Sequence, residues 1–132
     1  MINKYVGEVR GIILSLFPGA DLLSRPFEDL GWCILRGPDW LLGQDIRNFH
    51  APGGVFQGVI GDPPCQRFSN ANRAPGKNAP DLIGEFLRCA RCARPEFIVM
   101  ENVIGACRSE SWRCQHGRHV IPTPERPQAS RT

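Results

Sequence analysis

The residue of this chain best placed for covalent chemistry is a cysteine framed by prolines at the end of an apolar run. Val55 to Ile60 reads as a short buried strand that stops at Gly61-Asp62. Pro63 and Pro64 stiffen the exit, because each fixes φ and restricts the residue before it. Cys65 comes next, at the carboxyl end of the strand, the edge where open α/β sheets bind ligands. A cysteine there works as a nucleophile if its thiolate is accessible and its pKa is lowered. Taken alone, Cys65 also fits a buried structural thiol behind a Pro-Pro turn, the common fate of free cysteines. Glu96-Phe97-Ile98-Val99-Met100 reads as another buried strand and delivers Glu101-Asn102 at its own carboxyl end. If those two strands are neighbours, Cys65 and Glu101 share one edge of the sheet.

The elements that must hold these groups follow from periodicity. Strands are expected near residues 11–17, 32–36, 55–60 and 96–101, with helices near 22–30 and 80–93. Gly11 to Phe17 is almost continuously apolar, as a parallel strand covered on both faces should be. It ends at Pro18-Gly19-Ala20-Asp21, and Leu22 to Leu30 carries apolar residues at helical spacing, interrupted by Pro26. Strand, glycine turn and helix form the first half of a nucleotide-type βαβ unit, whose turn lets a ligand approach the backbone. Trp32 to Arg36 is the second strand, followed by Gly37-Pro38-Asp39-Trp40. An acid in that position, about twenty residues beyond the glycine turn, is where such folds hydrogen-bond ribose hydroxyls. A turn with a core anchor is the plainer reading of Asp39-Trp40. Leu82, Ile83, Phe86, Leu87 and Ala90 are spaced as one face of a helix that Asn78 or Pro80-Asp81 could start and Pro95 stops. The sum is a small α/β layer structure with a mostly parallel sheet.

Bulk properties bound the possibilities. A chain of 132 residues with 42% hydrophobic and 22% charged residues suits one cored domain. No apolar run reaches the length of a membrane span and no signal segment starts at Met1, so a cytoplasmic location is expected, with no membrane partner. With this composition, six cysteines are expected as reduced thiols rather than a disulfide framework. Up to Cys107 there are eleven Lys/Arg against eleven Asp/Glu, and from Arg108 five Arg against two Glu, so the net charge of +3 sits in the tail. Duplex-binding domains usually carry a basic patch, and this body has no such excess. Arg67, Arg73 and Lys77 make the polar stretch after Cys65 locally basic, which suits either a lid over a polyanion or a solvated loop.

Two runs, Gly61-Asp62-Pro63-Pro64-Cys65-Gln66-Arg67-Phe68-Ser69 and Val99-Met100-Glu101-Asn102-Val103, together resemble the Pro-Cys-Gln and Glu-Asn-Val motifs of the DNA (cytosine-5) methyltransferases, in the right order. The resemblance implies the Rossmann-like fold of S-adenosylmethionine-dependent methyltransferases and DNA methylation of the restriction-modification kind. It implies that Cys65 adds to carbon 6 of a flipped cytosine, that Glu101 protonates or hydrogen-bonds ring nitrogen 3, and that Asn102 fixes the loops between them. Phe17-Pro18-Gly19-Ala20-Asp21 is similar to the family's Phe-x-Gly-x-Gly cofactor motif, with Asp21 in place of the second glycine, where a charged side chain is expected to narrow the loop. By the same resemblance Asp39, Trp40, Asp45 and Pro63 join Phe17 and Gly19 around S-adenosylmethionine, Asp45 reaching the adenine amino group.

The resemblance covers about residues 11–106. The family's Gln-x-Arg-x-Arg strand, target-recognition region and last helix are not recognisable, and Gln115-His116-Gly117-Arg118-His119 lacks the spacing. Residues 1–107 are therefore expected to be a truncated, incomplete methyltransferase domain and 108–132 a basic, proline-rich, disordered tail. DNA is the expected partner, with a complementing chain supplying target recognition. The alternative is a non-catalytic remnant or binding module that keeps the fold. Cys89, Cys92, Cys107, Cys114, His116 and His119 could supply a zinc site. Against that, Cys89 and Cys92 fall within the predicted helix, where thiols three apart line its buried face.

Overall fold

The structure, a computed structural model, describes residues 9–68 and 79–109, with Trp40 and Arg108 described in their backbone alone. Its elements in chain order are β1 (Ile12–Leu16), α1 (Arg25–Asp29), β2 (Cys33–Arg36), β3 (Gly58–Gly61), α2 (Ile83–Ala93) and β4 (Phe97–Met100). Single 3-10 turns occupy Trp40–Leu42, Ile46–Asn48 and Ile104–Arg108. The four strands form one sheet in the order β2-β1-β3-β4, and every pair is parallel. All four carboxyl ends therefore open on the same edge.

The central strands β1 and β3 behave as the apolar runs predict. Ile13, Leu14, Leu16, Val59 and Ile60 are fully buried. Side chains alternate across a strand, so the two faces fill separately. On one face Leu14, Leu16 and Val59 meet Ile83, Phe86, Leu87 and Ala90 of α2. Those helical residues lie at i, i+3, i+4 and i+7, the stripe that an amphipathic helix turns inward. Gly61 permits the close approach: a Cβ there would lie 2.5 Å from the Leu16 carbonyl oxygen and 3.0 Å from the Phe86 ring. On the other face the Phe97 ring lies over Gly58, where a Cβ would collide with it. Phe97 stacks on Phe27 of α1 at 6.2 Å between centroids and meets Trp32 edge-on at 5.6 Å.

Several boundaries depart from expectation. α1 starts at Arg25 rather than residue 22, and Pro26 sits in its first turn, where a missing N–H costs nothing. Proline opens this helix instead of interrupting it. β3 starts at Gly58 rather than residue 55, because Gly54 at φ 78° turns the chain and leaves Val55 exposed. β4 is an outer strand of the described sheet and only half-buried, so its apolar run does not mean cover on both faces. α2 ends at Arg94, which adopts the left-handed conformation (φ 49°) usual for a glycine cap and donates its N–H to Ala90, with Pro95 next. Asp81 accepts from the Ile83 N–H at 3.1 Å at the start of α2 and from the Ser109 hydroxyl at 2.6 Å.

Candidate active site

Each strand is followed at this edge by an acid: Asp21 after β1, Asp39 after β2, Asp62 after β3 and Glu101 after β4. The loop after β1 is tightly wound, with Phe17, Gly19 and Asp21 all at positive φ, 54°, 50° and 56°. A phenylalanine held there is strained by about 1–3 kcal/mol, of the kind that functional loops store. The Phe17 N–H donates to the Pro38 carbonyl at 3.3 Å, and the Gly19 N–H to Asp39 Oδ2 at 2.9 Å. Asp39 Oδ1 accepts from the Leu41 N–H at 2.8 Å, so this one carboxylate ties the first two loops together.

Asp21 does not narrow the loop as the sequence suggested. Aspartate tolerates the left-handed conformation better than most residues. Its carboxylate turns away to accept from the Ser24 hydroxyl and from Arg36 Nε, while Arg36 Nη2 bonds Glu28 at 2.7 Å. Those partners hold the carboxylate outside the cavity described next, which Asp21 does not line.

A cavity of about 420 Å³ opens at the strand ends between the loops that follow β1, β2, β3 and β4. Phe17, Gly19, Asp39, Pro63, Cys65 and Glu101, which the sequence singled out, all line it. Its volume lies in the ordinary range for small-molecule sites. Cys65 is half-buried and Glu101 exposed. The Glu101 N–H donates to the Gly61 carbonyl at 3.1 Å, continuing the β3–β4 ladder one step beyond Met100 and setting Glu101 beside Asp62. Asn102 does not line the cavity. Its Nδ2 donates to the Pro63 carbonyl at 2.7 Å and its Oδ1 accepts from the Val103 N–H at 2.8 Å, joining the Cys65 loop to the Glu101 loop. The Phe68 N–H closes a turn onto the Cys65 carbonyl at 2.8 Å, and Arg67 reaches the Ala79 carbonyl at 3.3 Å.

Asp62 is the lining residue that sequence reasoning passed over. Its Oδ1 is shielded from solvent and finds no hydrogen-bond partner among the described residues. Burial, reinforced by the negative charges of Glu101 and Asp21, pushes its carboxyl above the ordinary value. The signal was its position, immediately after a buried strand and inside the cysteine motif. Leu41 also lines the cavity, as do Gln44 and Ile46, which flank Asp45 in the run Gln44-Asp45-Ile46-Arg47, and Leu82, from the apolar face expected of the helix; none of the four was singled out as a site residue.

Asp45 lies elsewhere. It borders an adjoining cavity of about 360 Å³ that shares Pro38 and Gln44 with the first. Its carboxylate accepts from the Arg47 backbone N–H at 2.9 Å and pairs with the Arg47 guanidinium at 2.6 Å. The Arg47 side chain holds the carboxyl below its ordinary value, assisted by that backbone bond. The Trp40 side chain, Arg73, Lys77 and residues 110–132, including Cys114, His116 and His119, lie outside the described residues. The five described cysteines are free. Cys89 is buried and Cys92 exposed, so the two do not share the buried face of α2.

Comparison with known proteins bears on this edge directly. The family model for C-5 cytosine-specific DNA methylases matches residues 43–116, more than half of the chain and the stretch that contains both motifs. Type II methyltransferase M.FnuDI of Fusobacterium nucleatum is 33% identical over 111 residues, covering 70% of this chain and 32% of the relative. Type II methyltransferase M.AquIA of Picosynechococcus sp. is 53% identical over 49 residues, 36% of this chain and 20% of its own length. Type II methyltransferase M.DdeI of Desulfomicrobium norvegicum is 37% identical over 65 residues, 48% of this chain and 16% of its own. The chain thus spans about a third or less of these relatives. A parallel α/β sheet that sets a Pro-Cys-Gln cysteine and a Glu-Asn-Val glutamate around one cavity, and a family match across both, place this chain in the C-5 cytosine-specific DNA methylase family.

Proposed function

We infer that this chain carries the nucleophile, the acid and the cofactor cavity of a DNA (cytosine-5) methyltransferase. The observation that carries the reading is that Cys65 and Glu101, from neighbouring strand ends, line one cavity. The cavity fits S-adenosylmethionine in size and in charge. It offers apolar walls at Phe17, Pro38, Leu41, Ile46 and Leu82 together with carboxylates for a cationic ligand, one of them with a shielded oxygen that has no partner among the described residues. When bound, that cofactor supplies an electrophilic methyl group.

The chain's own residues prepare cytosine to accept it. The Cys65 thiolate forms a bond to carbon 6, and the electrons of the ring's 5,6 double bond shift toward carbon 5. Glu101 donates a proton or a hydrogen bond to ring nitrogen 3, lowering the cost of that addition. Once carbon 5 carries the methyl, its proton passes to solvent, and the electrons of that carbon–hydrogen bond restore the 5,6 double bond. The Cys65–carbon 6 bond breaks with its pair returning to the thiolate, and any proton on ring nitrogen 3 goes back to Glu101. Asn102 holds the two loops in register through Pro63. The target base must leave the duplex to reach the cavity, at a cost of a few kcal/mol.

DNA contacts and sequence choice are assigned to a complementing chain or segment, because the body up to Cys107 has no excess of positive charge. The proposed site of action is the cytoplasm; no helix among the described residues is long and apolar enough to cross a membrane. Two features favour the alternative of a non-catalytic module, Asp21 in the glycine loop and the unrecognised target-recognition region. The first loses its force, since the Asp21 carboxylate pairs with Arg36 outside the cavity, and the second stands.

Calorimetric titration with S-adenosylmethionine tests the cavity, and absence of binding at millimolar ligand would remove the cofactor reading. DNA carrying 5-fluorocytosine tests the chemistry, because fluorine blocks the elimination that frees the enzyme. A covalent adduct that needs S-adenosylmethionine and is lost in Cys65→Ser is expected once a complementing chain is present. The isolated chain should give little.

A further inference from the structure

We propose that Asp62 makes the cavity select its ligand by charge, favouring the sulfonium form of the cofactor over the neutral thioether left after methyl transfer. The inference rests on the cofactor reading above and adds to it a residue that sets which form is held.

Asp39, Asp62 and Glu101 line the cavity, and among the described residues that line it none is a lysine or arginine. Asp39 is already satisfied by two backbone N–H groups, at 2.9 and 2.8 Å. Asp21, nearby but outside, has Arg36 as its counter-ion. Glu101 is exposed and free to face the base. Asp62 is left with one solvent-shielded oxygen, Oδ1, that has no donor among the described residues. An ionised carboxylate in that condition is costly unless a cation or donor arrives. Consistent with this, burial and the charges of Glu101 and Asp21 push its carboxyl above the ordinary value. A ligand that brings a positive charge relieves the deficit; one of the same shape without the charge does not.

The consequence for turnover is directional. Methyl transfer moves the electron pair of the carbon–sulfur bond onto sulfur and removes its positive charge. The cavity then loses the attraction that Asp62 supplied, and the product is released in exchange for fresh cofactor.

The test compares three probes by calorimetry on the full chain: S-adenosylmethionine, S-adenosylhomocysteine, and sinefungin, which carries an amine in place of the sulfonium. The wild-type chain should bind the two cationic probes roughly tenfold more tightly than the neutral one, as for a charge-assisted contact. Asp62→Asn, which keeps shape and removes charge, should erase that ratio by weakening the cationic probes while leaving S-adenosylhomocysteine within about twofold. Equal wild-type affinity for all three, or uniform weakening of all three in Asp62→Asn, overturns the proposal and leaves the cofactor reading intact. Failure of the wild-type chain to bind any of them overturns both. Equal wild-type affinity for the three probes overturns the proposal even if the variant does not fold.

Discussion

The Asn102 amide lies 2.7 Å from the Pro63 carbonyl, a bond that spans 39 positions of chain and joins the loop carrying Cys65 to the loop carrying Glu101. Neither proline before Cys65 has an N–H, so that loop makes few backbone hydrogen bonds of its own. Asn102 offsets this from outside, with its other amide atom anchored by the Val103 N–H. We predict that Asn102→Ala lowers stability by about 1 kcal/mol, the usual net worth of such a bond. It should also reduce adduct formation in the complemented enzyme by more than that small loss explains, because Cys65 loses its register with Glu101. Urea unfolding alongside adduct yield reads both, and an unchanged yield would mean that the link is merely structural.

Glu101→Gln keeps a donor to ring nitrogen 3 but removes the transferable proton. In the complemented enzyme, turnover should fall roughly 10²- to 10⁴-fold, the range for loss of a general acid. S-adenosylmethionine affinity should change far less. A variant that methylates at the wild-type rate would show that Glu101 is not the acid.

Asp62 should leave a signature in the pH dependence of stability. Its folded-state proton affinity is raised above the ordinary carboxyl value of 3.8, so the native state holds its proton more tightly than the unfolded chain does. Stability is then fully present below that value and is lost as pH rises through the folded-state pKa. Asp62→Asn cannot ionise and escapes the loss. Its melting temperature should match wild type in acid and exceed it near neutrality, with the gap opening as pH rises. A gap that narrows with rising pH would contradict the assignment.

Asp21→Gly restores the glycine of the cofactor motif but should not improve cofactor binding. The Asp21 carboxylate is engaged by Ser24 and Arg36 rather than by the cavity. Affinity for S-adenosylmethionine is predicted to stay within about twofold, and stability within about 1 kcal/mol, as for a partly exposed ion pair. A large gain in affinity would show that the loop is narrowed after all.

Gly61→Ala is the backbone test of the strand that leads to Cys65. A single methyl there meets the Leu16 carbonyl and the Phe86 ring. Because the carbonyl belongs to the neighbouring strand, it cannot swing aside as a flexible side chain would. A loss of about 1–3 kcal/mol or more is expected from thermal or denaturant melts. Phe86→Ala should cost about 3–5 kcal/mol by leaving a cavity under the same strand.

Much of this architecture was legible in the chain itself, because helix and strand periods are local. Leu82, Ile83, Phe86, Leu87 and Ala90 announced α2, and the runs ending at Phe17, Ile60 and Met100 announced three strands. The cysteine and glutamate motifs were equally readable, since each sits within a few residues of its strand end. Pairing is a different matter. The order β2-β1-β3-β4 rests on contacts between residues tens of positions apart, and only that order brings Glu101 beside Asp62. Tertiary packing likewise decided that Asp39 and Asp45, six positions apart, border different cavities. It turned the Asp21 carboxylate toward Arg36 and left one oxygen of Asp62 shielded without a partner among the described residues. A carboxylate reads the same in any sequence, and its role depends on which donors and charges the fold sets around it.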